Sequence, residues 1–73
     1  MQNYQRIRDL REDADKTQGE IAKELFIQRE VYRRYEVGER EIPFNIAIAI
    51  ANLYNVSLDY LAGRTDKKDN PNI

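Results

Sequence analysis

The chain contains neither cysteine nor histidine. Without thiols there can be no disulfide and no thiolate metal site. Without imidazole the commonest general base and metal ligand is missing, so an enzyme is not expected. No apolar run approaches the ~20 residues needed to span a bilayer. The opening stretch, MQNYQRIRDLRED, is polar and mixed in charge, unlike a signal peptide. No strand pattern, internal repeat or low-complexity segment is present. Neither charge sign is in excess: 12 Lys and Arg stand against 13 Asp and Glu, for a net charge of −1. Seventy-three residues make one small domain with a limited core. The expectation is a soluble, cytoplasmic protein with no cofactor, metal or small-molecule ligand.

What the chain does have is helical periodicity. Tyr4, Ile7, Leu10 and Ala14 recur every three to four residues, which predicts an amphipathic helix over about 2–13. Thr17-Gln18-Gly19-Glu20 is a capping box, opening a second helix over about 18–25 with Ile21, Ala22 and Leu25 on one side. A break at Phe26-Ile27 leads to a third helix over about 28–37, stopped by Gly38. Pro43 suits the first turn of a fourth helix running to about Tyr54, with Ile46, Ile50 and Leu53 inward. Ser57 is a candidate N-cap for a short fifth helix, ended by Gly63. The predicted fold is all-α, a compact five-helix bundle over residues 1–65, followed by a flexible tail over 66–73.

Helices two and three, joined by a short turn, have the layout of a helix-turn-helix. With Val31 and Tyr35 placed inward on helix three, Arg29, Glu30 and Arg33 point outward and Arg34 lies on the flank. Arginine there can bond guanine O6 and N7 together, and Glu30 can accept from cytosine N4. A solvated face with i, i+4 pairs such as Glu30–Arg34 is the alternative. Gln28 begins helix three, and Thr17 and Gln18 begin helix two, where free N–H groups suit phosphate oxygens. Lys23 and Arg40 are further phosphate candidates. The stretch from Gln28 to Arg40 holds four positive and three negative residues, only weakly cationic. Arg11 and Glu36 suggest an internal salt bridge. Ile48 points away from the inward face of helix four. Together with Val56 and Leu58 it is a candidate dimer or partner contact.

The residues Ile7-Arg8-Asp9-Leu10-Arg11, Thr17-Gln18, Glu20-Ile21-Ala22, Tyr35-Glu36, Gly38 and Arg40-Glu41-Ile42-Pro43 resemble the Cro/repressor-like, Xre-type helix-turn-helix family. So does the run from Tyr54 to Thr65. The resemblance implies the lambda-repressor-like five-helix fold and operator DNA binding, often as a homodimer. It implies a phosphate contact at Gln18, groove-facing positions at Gln28, Arg29, Glu30, Arg33 and Arg34, and an internal pair between Arg11 and Glu36. It also marks departures. Glycine is usual where this chain has Phe26, and a phenylalanine should resist positive φ there. Lysine is common where it has Glu39.

The expected function is therefore a sequence-specific binder of double-stranded DNA that regulates transcription, as a repressor, with helix three in the major groove. The alternatives are a protein-interaction module that kept the fold, or an antitoxin with a protein partner.

Overall fold

The computed structural model describes residues 4–68. Five helices follow in order: α1 (Tyr4–Asp13), α2 (Gln18–Glu24), α3 (Arg29–Glu36), α4 (Phe44–Tyr54) and α5 (Leu58–Leu61). The expected start of the first helix at residue 2, and the last five residues of the tail, lie outside the described residues. No described helix is long and apolar enough to cross a membrane.

The helix starts follow local chemistry. Thr17 accepts from the Glu20 N–H at 3.1 Å, and Glu20 accepts in return from the Thr17 N–H at 2.9 Å. That closes the capping box and holds the Glu20 carboxyl below its ordinary pKa, chiefly through the backbone bond from Thr17. Ser57 accepts from the Tyr60 N–H at 2.9 Å and starts α5. Pro43 stands just before α4 in extended conformation and not inside its first turn, a one-residue difference.

All five described helices end by one device. A residue just past each helix takes positive φ: Asp15 (56°), Phe26 (59°), Gly38 (78°), Asn55 (55°) and Gly63 (78°). The next N–H then returns to a carbonyl near the helix end: Lys16 to Arg11, Ile27 to Ala22, Glu39 to Arg34, Val56 to Ala51 and Arg64 to Asp59, at 2.9–3.1 Å. This Schellman arrangement satisfies carbonyls that would otherwise be orphaned. Glycine, asparagine and aspartate take the left-handed region readily; Phe26 is the exception. Its ring makes no compensating contact, being 95% exposed.

The core joins Ile7 and Leu10 of α1 to Ile21, Ala22 and Leu25, to Tyr32 and Tyr35 of α3, and to Ile42, Ala47, Ile50, Ala51, Val56 and Leu61. Helix α3 packs on α2 and α1, while α5 packs on α4 and α1. Two inward assignments and one surface assignment change. Ala14 lies past the end of α1 and is exposed. Leu53 is as exposed as Ile48 (37% and 38%), because α4 carries more apolar residues than its buried face can take. Val56 is only 3% exposed: the return bond that ends α4 turns it onto the core, so it offers no surface to a partner.

Arg6 fastens the C-terminal region. It donates to the Tyr60 and Thr65 carbonyls at 3.2 and 2.8 Å and to Asp66 at 2.8 Å, with its guanidinium 4.1 Å above the Tyr60 ring. The Ser57 N–H donates to the Lys68 carbonyl at 3.1 Å. The first residues of the tail are thus tied to the body.

Candidate nucleic-acid interface

Helices α2 and α3 set the candidate face. Leu25 ends α2, Phe26 reverses the chain, and Gln28, in extended backbone, precedes the first residue of α3. Gln28 makes no side-chain cap bond and is exposed, so its amide is available.

Helix α3 is rotated from the sequence expectation. Tyr32 is fully buried and Tyr35 and Glu36 nearly so, whereas Val31 is only half-buried. At 100° per residue this turns the inward face by roughly 70° from the Val31–Tyr35 direction. The large Tyr32 ring takes the core position, and Glu36 is drawn in by Arg11. Glu30 and Arg34 consequently stand near the centre of the outward face. Arg33 moves to the flank, half-buried, where it lines a cleft with Arg8 and Arg11 of α1.

The charges on this face are largely spent on one another. Arg33 donates through Nε to Glu30 Oε1 at 2.6 Å and through Nη2 to Glu39 Oε2 at 3.0 Å. The Glu30 hydrogen bond leads in raising the Arg33 pKa above its ordinary value. Arg34 Nε stands 3.7 Å from the same Glu30 oxygen, the i, i+4 pair expected from spacing. Arg29 is exposed and makes no hydrogen bond or ion pair among the described residues; its stem passes Gly19 at the start of α2. Lys23 and Arg40 are likewise exposed. The pairing of Arg33 with Glu39 was missed in the sequence. No regular helical spacing relates the two, and only the turn at Gly38 brings them together.

Beneath the face, Arg11 grips Glu36 with two bonds, Nε to Oε2 at 2.7 Å and Nη2 to Oε1 at 3.2 Å. Gln18 Nε2 adds a third to Oε1 at 3.1 Å, so one carboxylate joins α1, α2 and α3. Burial alone would raise the Glu36 pKa. The Arg11 bond, the nearby Tyr32 hydroxyl and the Gln18 amide outweigh burial and hold the carboxyl below its ordinary value. The Tyr32 hydroxyl faces this cluster without closing a hydrogen bond of ordinary geometry. A cleft of about 290 Å³ opens here, lined by Arg8, Arg11, Gln18, Arg33, Glu36 and Val37. The structure therefore gathers Arg8 and Arg11 of α1, Gln18 of α2 and the C-terminal half of α3 around one concave edge, while Thr17 and the start of α3 lie outside its lining. Gln18 is already committed to Glu36 by one N–H. Arg8, which lines the cleft, was not singled out in the sequence.

The partner candidates separate. Ile48 is exposed on α4. Leu58 is half-buried and lines an apolar cleft of about 380 Å³ with Ile42, Phe44, Ala47 and Ala62. Val56 belongs to the core.

Comparison with known proteins places this geometry. A helix-turn-helix family model matches residues 7–61. The chain is 35% identical over 65 residues to the uncharacterized HTH-type transcriptional regulator YobD of Bacillus subtilis, covering 89% of this chain and 58% of that protein. It is 36% identical over 61 residues to the HTH-type transcriptional regulator ImmR of Bacillus subtilis, covering 84% and 48%. It is 30% identical over 73 residues to the cryptic phage CTXphi transcriptional repressor RstR of Vibrio cholerae, covering 100% and 65%. The chain thus spans about half to two thirds of the length of these curated relatives. No solved structure gives a significant match.

Proposed function

We propose that this chain, which belongs to the Cro/repressor-like helix-turn-helix family, binds double-stranded DNA sequence-specifically and represses transcription from the cytoplasm. No catalytic step is assigned to it. The observation that carries this reading is the polar outward face of α3, braced on α1 and α2 through Arg11, Glu36 and Gln18. A helix so held can enter a major groove with its first residues against base edges. Arg29 and Gln28 lead at that end. The α2 start at Thr17 and Gln18, with Lys23 and Arg40, supplies phosphate contacts. Binding is as a homodimer on half-sites one helical turn apart, ~34 Å. The apolar cleft beside Leu58 supports self-association.

Selection from a random duplex library at two salt concentrations tests this. An enriched palindrome is expected. Because Arg33 and Arg34 are already paired, the slope of log affinity against log salt should be modest, about −3 per protomer for three to four phosphates. Arg29→Ala should weaken binding to the enriched site about ten-fold or more, while Lys67→Ala should change it less than two-fold. Equal losses from both would remove α3 as the reader. No enrichment from folded protein would favour the protein-interaction alternative.

A further inference from the structure

Two ion pairs on α3, through three guanidinium nitrogens, converge on one oxygen. Arg33 Nε and Nη2 both approach Glu30 Oε1 at 2.6 Å, and Arg34 Nε approaches that oxygen at 3.7 Å. Glu30 Oε2 accepts nothing among the described residues. The carboxylate side chain is 55% exposed near the centre of the outward face. It is therefore clamped on one side and open on the other, with two guanidinium groups beside it.

The clamp has a backbone cause. Gly38 at φ 78° sends the Glu39 N–H back to the Arg34 carbonyl at 3.0 Å. In this kind of helix ending, the residue after the left-handed one lies against the last full turn, a contact that is commonly apolar. Here that contact is Glu39 Oε2 against Arg33 Nη2 at 3.0 Å. Glu39 thus holds Arg33 from one side while Arg33 holds Glu30 from the other. The three-residue chain fixes rotamers that would otherwise be free, which is what a site needs to present one atom at a base edge.

We propose that Glu30 is a specificity-determining residue that accepts a hydrogen bond from a cytosine N4 amino group through Oε2, with Arg33 as its positioning residue, anchored by Glu39. This assignment rests on the DNA-binding reading above. The chemistry is narrow. A carboxylate only accepts, and among base edges in the major groove the exocyclic amino group of cytosine is its usual partner. A bare carboxylate would be repelled by phosphates; Arg33 and Arg34 neutralise it locally. Arg33 is thereby removed from the set of base readers expected from its spacing.

The test is the same library selection run on the unsubstituted chain and on Glu30→Gln, Arg33→Met and Glu39→Gln, with each enriched profile read position by position. All three side chains are at least partly exposed, and thermal melts by circular dichroism check that the variants fold. The unsubstituted chain should require cytosine at one position of each half-site, discriminating about ten-fold against thymine there. Glu30→Gln should abolish that preference and leave the other positions intact. Arg33→Met should relax the same position, and Glu39→Gln should relax it more weakly. Two outcomes overturn the assignment: a cytosine preference that survives Glu30→Gln, or an Arg33→Met profile relaxed at a different position, which would make Arg33 a reader in its own right. A uniform loss of affinity in Arg33→Met with an unchanged profile also contradicts it, since that marks a merely structural role. Failure of the unsubstituted chain to enrich any duplex would instead defeat the parent reading, and it shows before any variant is compared.

Discussion

Phe26 is held at φ 59° with its ring 95% exposed, and nothing in the structure explains the choice of phenylalanine there. A non-glycine residue in the left-handed region costs roughly 1–2 kcal/mol. Glycine removes that cost but gives back roughly 0.5–1 kcal/mol in chain entropy. Phe26→Gly should therefore raise stability by about 0.5–1 kcal/mol, or Tm by about 3–6 °C in a domain this small. Calorimetry checks it. A lower Tm would mean that the ring makes a stabilising contact. The sequence marked this position correctly as one where glycine is usual. It could not tell that the backbone would keep its geometry and absorb the strain, because propensity yields when two helices fix the turn between them. The same applies to Val56: its sequence neighbourhood is a turn, yet the bond from its N–H to Ala51 sends it inward.

At the scale of elements, the helix starts were legible because capping is local chemistry. Thr17 with Glu20, and Ser57 with Tyr60, do what their spacing predicts. The rotation of α3 was not legible. An eight-residue helix carrying Val31, Tyr32 and Tyr35 allows two inward faces, and size and a buried ion pair decide between them. Glu36 is the decisive residue: its internal pair with Arg11 was suggested by the sequence, but not that this pair, with Gln18, would turn the helix to bring Tyr32 inward with it. Its pH behaviour follows. The folded-state pKa lies below the ordinary value, so Glu36 adds stability above its unfolded pKa, and that stability is lost as pH falls through the folded value. Glu36→Gln should cost about 3 kcal/mol at neutral pH by leaving Arg11 without its charge partner. It should also flatten the fall of stability on the acid side of pH 4.5, the ordinary value of the carboxyl. Urea melts across pH 3–7 read both. An acid limb as steep as that of the unsubstituted protein would show that Glu36 does not carry the dependence.

For the whole molecule, the net charge of −1 is a poor guide, since the charges are sorted by place. Arg11 and Glu36 cancel internally; Glu30, Arg33, Arg34 and Glu39 cancel on the face. What remains around α2 and the two ends of α3 includes the exposed Lys23, Arg29 and Arg40. The molecule is elongated, 31 × 21 × 20 Å. The α2–α3 face is distinct from the apolar cleft beside Leu58, so DNA and a second copy need not compete for one surface. Sequence periodicity was enough to identify the bundle. It was not enough to say which cations stay free, because that depends on the turn at Gly38 and the rotation of α3. The most direct test of the central claim is an amide chemical-shift titration of the labelled protein with a selected duplex. Shifts should gather at residues 17–19, 28–34 and 38–40 and leave the amides of Asn52 and Leu53 in place. Shifts confined to α4, or none at saturating duplex, would contradict the assignment of α3 and its flanks as the DNA-binding face.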